Sequence, residues 1–499
     1  MPADARTRGG HVHPQDLLTH LDGWDARPGP RSTALADALR DAAHGGTLPS
    51  GTRLPAERTL AQTLGVSRGT VVRAYERLRD AGLARTRHGA GTVIGAAVSG
   101  PEKRAVELVE GLPRGSILAA STEERAAGAI DLRGAAWPGI GGLPPEVFQR
   151  TPEQLRRLAT EPGYRPLGLA VLRQAIARHL TAQGLPTDPN QVLVTAGAQQ
   201  AIDLALTTLC EPGDPVVVEE LTYPGILELL TTRRLRPRPV PLRPEGVDHL
   251  ALGHVLERRT PPLTYLVPTH HNPTGTTLAG PLRRLVAEKV VETGGILLDD
   301  QSLAEVWLDA PPPPPIAASL PEAEAHVITI GSASKWAWGG LRVGWIRASG
   351  GLFDRLARVK VVLDLGTSVE AQLTATALLE RADDLLEVRR ELLRSQMAAL
   401  EGALRRELPG WRWRTPTGGL SLWVDLGGAP GDVVAQLAGR HGVLVPPARV
   451  CSASGRDVGH LRLTFAQDAA TLERAVSGLA DAWRDHLARA APAAATPIV

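Results

Sequence analysis

Residues 331–345 read Gly-Ser-Ala-Ser-Lys-Trp-Ala-Trp-Gly-Gly-Leu-Arg-Val-Gly-Trp and follow directly on the apolar run 327–330. That run is short, β-branched throughout and closed by Gly331, so it reads as a buried strand with Lys335 on the loop at its end. In an open α/β sheet this is where ligands bind. The lysine is conspicuous, because the chain has only Lys103, Lys289, Lys335 and Lys360 among 55 lysines and arginines. Arginine stays protonated, whereas lysine can lose its proton and attack a carbonyl. Lys335 is therefore read as a chemical residue and the other three as ordinary charges.

Working outward, helical segments such as 170–182 alternate with the short apolar runs 192–195, 216–218, 265–267 and 296–298. That alternation predicts an α/β domain with a mainly parallel sheet. Asp299 follows the run 296–298 and is placed to pair with a protonated ring nitrogen, with Asp300 as its rival. The loop Thr-Ala-Gly-Ala-Gln-Gln at 195–200 enters a helix, whose N–H groups and dipole suit a phosphate. Ser332, Ser334 and Arg342 add phosphate donors around Lys335. Tyr223, before Pro224, offers a flat face to a ring or is a half-buried core residue. An amine, a carboxylate, a stacking ring and an anion cradle are what pyridoxal 5′-phosphate requires.

A different pattern precedes this domain. Leu35, Ala38, Leu39 and Ala42 recur at helical spacing and end at Gly45-Gly46; a second helix follows Pro55 to Leu64; a third has Ser67 as its N-cap and buries Val71, Ala74, Tyr75 and Leu78. Residues 83–94 then fold around His88-Gly89-Ala90-Gly91 as a small hairpin, completing a winged helix-turn-helix. Ser67, Arg68, Thr70 and Arg73 stand at the end of the third helix that would enter a major groove, and Arg58 near its edge. Residues 1–30 read as a loose lead-in, 31–95 as the head, 96–129 as a linker and 130–487 as the body.

Net charge is only +2 over 499 residues, so nucleic-acid binding has to be local. It is: from Arg53 to His88 there are eight arginines against Glu57, Glu76 and Asp80. Two cysteines, Cys210 and Cys451, make neither a disulfide framework nor a metal site, and no run is long and apolar enough for a membrane span. No metal is expected, and the cytoplasm is the expected location.

The string GTRLPAERTLAQTLGVSRGTVVRAYERLRDAGLARTRHGAGT, within 33–94, resembles the DNA-binding head of the GntR family of bacterial repressors. The resemblance implies DNA contacts by Arg58, Ser67, Arg68, Thr70 and, in the wing, His88 and Gly89; Val72 stands where many members carry an arginine. The segments YRPLGLAVLRQAIARHL, TAGAQQAIDLAL, HHNPTG, LLDDQS, GSASKWAWGGLRVGW and HLRLTFA resemble the fold-type I aminotransferases along 130–487. Together the two are similar to the MocR subfamily of regulators. By that resemblance Lys335 forms a Schiff base with pyridoxal 5′-phosphate, Asp299 binds its ring nitrogen and Asn272 its 3′-oxygen. Ala198, Gln199, Ser332, Ser334 and Arg342 hold the phosphate, Arg462 clamps a substrate carboxylate, and Tyr164 reaches the cofactor of the other subunit in a head-to-tail homodimer. Gln301 replaces a tyrosine that many relatives carry. The implied function is a transcription regulator that binds a double-stranded DNA operator and senses an amine, an amino acid or the cofactor itself. The alternative is an active aminotransferase with an appended head.

Overall fold

The computed structural model describes residues 14–21, 23–44, 47–48, 52–80, 83–87, 91–94, 128–137, 139, 141–258, 260–456 and 459–490. The expected linker 96–129 falls almost wholly outside them, as do the wing-tip residues His88 and Gly89.

The head contains the helices Arg31–His44, Glu57–Leu64 and Arg68–Asp80, followed by the antiparallel strands Ala84–Arg87 and Gly91–Ile94. Leu35, Leu39, Leu60, Val71 and Leu78 form its core, and Tyr75 is buried with its hydroxyl donating to the Pro55 carbonyl at 2.9 Å. The lead-in is not loose throughout. Pro14–His20 is helical, and Leu17, Leu21 and Trp24 are buried in this same core, so the ordered head begins before residue 31.

The body is built on a seven-stranded sheet in the order Val192–Thr195, Gly344–Arg347, Val327–Ser332, Leu297–Asp300, Leu263–Leu266, Pro215–Glu219 and Arg236–Val240. It is parallel except for Gly344–Arg347, which runs antiparallel to both neighbours. Arg236–Val240 carries Pro237 and Pro239 and lies at an edge, where a missing N–H costs no ladder bond. Successive side chains alternate between faces. Leu298, Ile328 and Tyr265 pack into one layer under the helices Ala198–Leu209 and Pro224–Thr232; Leu297, Val327 and Leu266 pack into the other with Gly280–Glu292.

A smaller subdomain pairs Arg412–Trp413, Ser421–Asp425 and His460–Thr464 in an antiparallel sheet covered by the long helices Ala382–Glu407 and Ala469–Ala490. Ile130–Asp131 pairs in parallel with Val443–Leu444, which brings the start of the body beside this subdomain. The loops at the carboxyl ends of the parallel strands then face the N-terminal segment 133–137.

Candidate active site and DNA interface

Lys335 follows the strand Val327–Ser332, and its Nζ donates to the Ala135 carbonyl at 2.8 Å. Burial, and after it Arg462, lowers its pKa to about 8; Asp300 opposes that shift and Arg342 adds to it. These charges lie near the amine, which opens on a pocket lined in part by Ala135, His270, Asn272, Leu303, Lys335 and Ser421. The backbone of Lys335 is anchored as well: the indole N–H of Trp137 donates to its carbonyl at 2.8 Å. Trp137 could not be picked out from sequence, because nothing local ties it to a loop almost two hundred residues away.

The expected pairing of Asp299 with a ring nitrogen is corrected by the geometry. Asp299 is fully buried on the far face, where it accepts from Gln301 Nε2 at 2.6 Å and from the Ile316 N–H at 2.9 Å. Burial raises its pKa to about 6, against the opposing charge of Arg283. Asp300 sits on the pocket face, accepting from Tyr265 Oη at 2.7 Å and from the Ser302 N–H at 2.9 Å. Tyr223 feels Asp300, Arg462 and Arg342, with burial the largest cause of its pKa being raised to about 12. The physical reason is strand alternation: adjacent residues point to opposite faces, so one residue of register exchanges the two aspartates. Gln301 lies with Asp299, its Oε1 accepting from Thr269 at 2.7 Å.

The loop that enters the helix Ala198–Leu209 has the form an anion needs. Gly197 takes φ 98° as its N-cap, and a Cβ there would come within 2.9 Å of the Arg342 guanidinium. Arg342 itself holds a left-handed φ of 53° and donates to the Ala196 carbonyl at 2.6 Å. Ser332 is buried, and its Oγ accepts from the Ser334 N–H at 3.1 Å. Gln199 Nε2 donates to the Gly225 carbonyl at 3.1 Å, while its buried Oε1 has no partner among the described residues. The Ala198 and Gln199 amides, Ser332, Ser334 and Arg342 thus gather at one cradle beside Tyr223, and the residues present fit a phosphorylated pyridine aldehyde.

Arg462 comes from the strand His460–Thr464 and is 3 % exposed. It donates to Asn272 Oδ1 at 3.2 Å and to the Arg133 carbonyl, while its Nε has no acceptor among the described residues. Asn272 and Arg462, far apart in sequence, are brought together by the fold. Tyr164 is not part of this constellation within its own chain: it stands 64 % exposed on the loop before Gly168. His270 was not singled out from sequence. It lines the pocket, pairs its Nδ1 with Thr277 Oγ1 at 3.0 Å, and burial lowers its pKa to about 3, so it stays neutral.

In the head, Ser67 caps the third helix by accepting from the Thr70 N–H at 3.2 Å, and its Oγ lies 2.9 Å from Thr70 Oγ1. Thr70 is buried and committed to this cap. Arg58, Arg68 and Arg73 are exposed around the same helix start, with Arg68 Nη2 3.0 Å from Glu57 Oε2.

Fold and site together define a pyridoxal-phosphate type aminotransferase body behind a winged DNA-binding head. Residues 139–479 match the family Aminotransferase class I and II, and residues 31–94 match Bacterial regulatory proteins, gntR family. The chain is 32% identical to 2-aminoadipate transaminase of Thermus thermophilus over 70% of this chain and 89% of that one. It is 28% identical to the HTH-type pyridoxine biosynthesis transcriptional regulator PdxR of Corynebacterium glutamicum, over 90% of this chain and 95% of that one. Among solved structures, the α-aminoadipate aminotransferase LysN of Thermus thermophilus superposes with a TM-score of 0.68 at 29% identity, covering 77% of this chain and 98% of that chain. The chain belongs to the class I and II aminotransferase family and carries a GntR-type head ahead of that body. It is a DNA-binding transcription regulator whose body uses pyridoxal 5′-phosphate. Among the described residues no helix is long and apolar enough to cross a membrane.

Proposed function

We propose that the body is the sensor and the head the reporter: a small amine that carries a carboxylate occupies the Lys335 pocket, and that occupancy changes how a dimer holds its double-stranded operator. Arg462 carries this reading. Its guanidinium is buried among neutral acceptors with Nε unpaired among the described residues, so a carboxylate is the group that would complete it.

Bound pyridoxal 5′-phosphate supplies an aldehyde and an electron sink. Lys335, with its pKa lowered to about 8, keeps a neutral fraction near physiological pH, so it would hold the cofactor's aldehyde end and could accept or return a proton at Nζ. Asp300 would favour a protonated ring nitrogen, Tyr223 would cover the ring, and Gly197 to Gln199 with Ser332, Ser334 and Arg342 would hold the phosphate. Asn272, which accepts from Arg462, would also orient the ring oxygen. A homodimer is supported by the exposed apolar run Val361, Val362, Leu363 and Leu365 of the body, and we infer a head-to-tail arrangement in which Tyr164 reaches across to the other subunit.

An effector moves a DNA-binding equilibrium only through its different affinity for the two states. The test is a titration of the upstream DNA with cofactor-loaded full-length protein, with and without a panel of amino acids. The expected result is a shift in DNA affinity that Lys335→Ala and Arg462→Gln both abolish. A response unchanged in Lys335→Ala overturns the reading. A response to pyridoxal 5′-phosphate alone makes the cofactor the signal, and steady turnover of amino donors and keto acids with no DNA response makes the chain an aminotransferase.

A further inference from the structure

A cavity of about 370 Å³ lies between Trp137, Gly139 and Gly141, the helix Ala382–Glu407 and the start of the helix Ala469–Ala490. Its walls include Trp137, Gly139, Arg389, Ser395, Gln396 and Asp468, none of which lines the Lys335 pocket. Its size falls at the small end of the ~300–1,000 Å³ that ligand sites span.

Arg389 is 5 % exposed, and its guanidinium lies 4.2 Å from the centroid of the Trp137 ring. It reaches the Ala337 carbonyl at a long 3.5 Å, and its Nε has no acceptor among the described residues. Burial lowers its pKa. Gln396, 6 % exposed, presents an Oε1 with no donor among the described residues. Asp468 does not serve either group, because its two oxygens accept from the Thr471 N–H at 2.9 Å and from Thr471 Oγ1 at 2.7 Å. A buried guanidinium whose Nε lacks an acceptor, and a buried amide oxygen without a donor among the described residues, cost free energy that a ligand of complementary shape would recover.

We propose that this cavity is a second, non-covalent binding site for a small carboxylate that also carries a hydrogen-bond donor, as an α-hydroxy or α-amino acid does. The carboxylate lies against Arg389 and the donor against Gln396 Oε1. Asp468 at the wall excludes a second negative charge, so a monoanion or a zwitterion fits and a polyanion does not. The site communicates with the cofactor loop through one side chain. Trp137 carries Arg389 on its face and anchors the Lys335 carbonyl with its indole N–H, so a ligand that draws on Arg389 acts on the ring that holds the lysine's backbone.

L-Lactate is a suitable probe, since it has the carboxylate and the donor but no amine to react with an aldehyde. Calorimetric titration into cofactor-free full-length protein should detect binding in the wild type and in Arg462→Gln, which silences the carboxylate position at the Lys335 pocket. Arg389→Met should weaken it at least tenfold. Ser395 is exposed on the cavity wall, so Ser395→Phe fills the space without disturbing the buried arginine, and it should weaken binding to the same degree with an unchanged melting curve. The proposal is overturned if lactate does not bind, if binding disappears in Arg462→Gln, or if folded Ser395→Phe binds as tightly as wild type. Because the measurement needs neither cofactor nor DNA, its failure leaves the sensor reading standing, and the converse holds.

Discussion

The hydroxyl of Tyr265 donates to the carboxylate of Asp300 at 2.7 Å, and this bond holds the second of two adjacent aspartates on the sheet face that carries Tyr223 and Lys335. Asp299 faces the other layer, near Arg283. Two acids one residue apart thus face opposite layers: on the proposed reading Asp300 serves the cofactor, while Asp299 serves the packing of the body.

Exchange of each aspartate for asparagine separates these roles. Asp300→Asn removes the charge that faces the ring and should slow reaction of the loaded protein with amines by on the order of 10²-fold, the scale of losing one preorganised electrostatic partner. Asp299→Asn should leave that rate nearly unchanged. It presents an amide to two donors, Gln301 Nε2 and the Ile316 N–H, and one is left unsatisfied, at a cost of about 2 kcal/mol in stability. Single-turnover absorbance and thermal melts read the two effects; a kinetic loss confined to Asp299→Asn would return the ring contact to that residue.

The pH dependence of cofactor uptake follows from the pKa of Lys335, lowered to about 8 chiefly by burial. Only the neutral amine attacks, so the uptake rate should rise about tenfold per pH unit below that pKa and level off above it. An unperturbed lysine would carry the rise on to about 10.4. In the cofactor-free protein the same shift has a definite sign for stability. Between the lowered folded pKa and the ordinary unfolded one, the unfolded chain holds the extra proton, so stability increases with pH across that window. Below about 8 the folded state carries the buried charge, and Lys335→Met should be the more stable protein there. Stopped-flow uptake and melts from about pH 6 to about pH 10 test both statements, and an uptake rate still climbing well above the lowered pKa would contradict them.

Gly344 is the tightest backbone approach at the phosphate cradle. A Cβ there would lie 2.8 Å from both the Gly197 backbone and the Gly331 carbonyl, neither of which is the flexible end of a side chain. Gly344→Ala should therefore push the 195–198 loop outward, weaken cofactor binding at least tenfold and destabilise the body by about 1–3 kcal/mol, the range of overpacking. Fluorescence titration with the cofactor checks it, with Gly351→Ala as the control, since a Cβ at Gly351 meets nothing within 4 Å.

The parts of the site that were legible in sequence are those written locally. Lys335, the 195–200 loop and Tyr223 each announce themselves through a strand end, a glycine turn or a scarce residue type, and the helix Ala170–Ala182 carries its full period in one stretch. The choice between Asp299 and Asp300 was not legible, because strand register is set by the neighbouring strands and not by the Asp-Asp pair itself. Asn272 and Arg462 were reached only through family likeness, since the topology that joins them spans most of the body. The antiparallel direction of Gly344–Arg347 was not legible, because strand direction is set by the neighbouring strands and not by the local sequence. The helix Pro14–His20 was missed because seven residues are too few to show a helical period, although Leu17 and Trp24 are core residues of the head.

At the head, Ser67 and Thr70 have structural work that Arg58 and Arg73 do not, and salt dependence separates the two kinds of residue. Arg58 and Arg73 are exposed, so replacing either with alanine should weaken DNA binding on all sequences and, if it meets a phosphate, flatten the slope of log affinity against log salt by about one. Ser67→Ala removes the acceptor of the Thr70 N–H and should cost about 1 kcal/mol of head stability with that slope unchanged. Arg68 is intermediate, since its exposed ion pair with Glu57 contributes only about 0–1 kcal/mol and competes with DNA for the guanidinium. Glu57→Gln should then tighten binding, most at low salt, because it both releases Arg68 and removes a negative charge from the interface. Fluorescence anisotropy across a salt series measures all four variants; a flattened slope in Ser67→Ala would place that hydroxyl on a phosphate, and weaker binding by Glu57→Gln would mean that the carboxylate aims Arg68 at the DNA rather than withholding it.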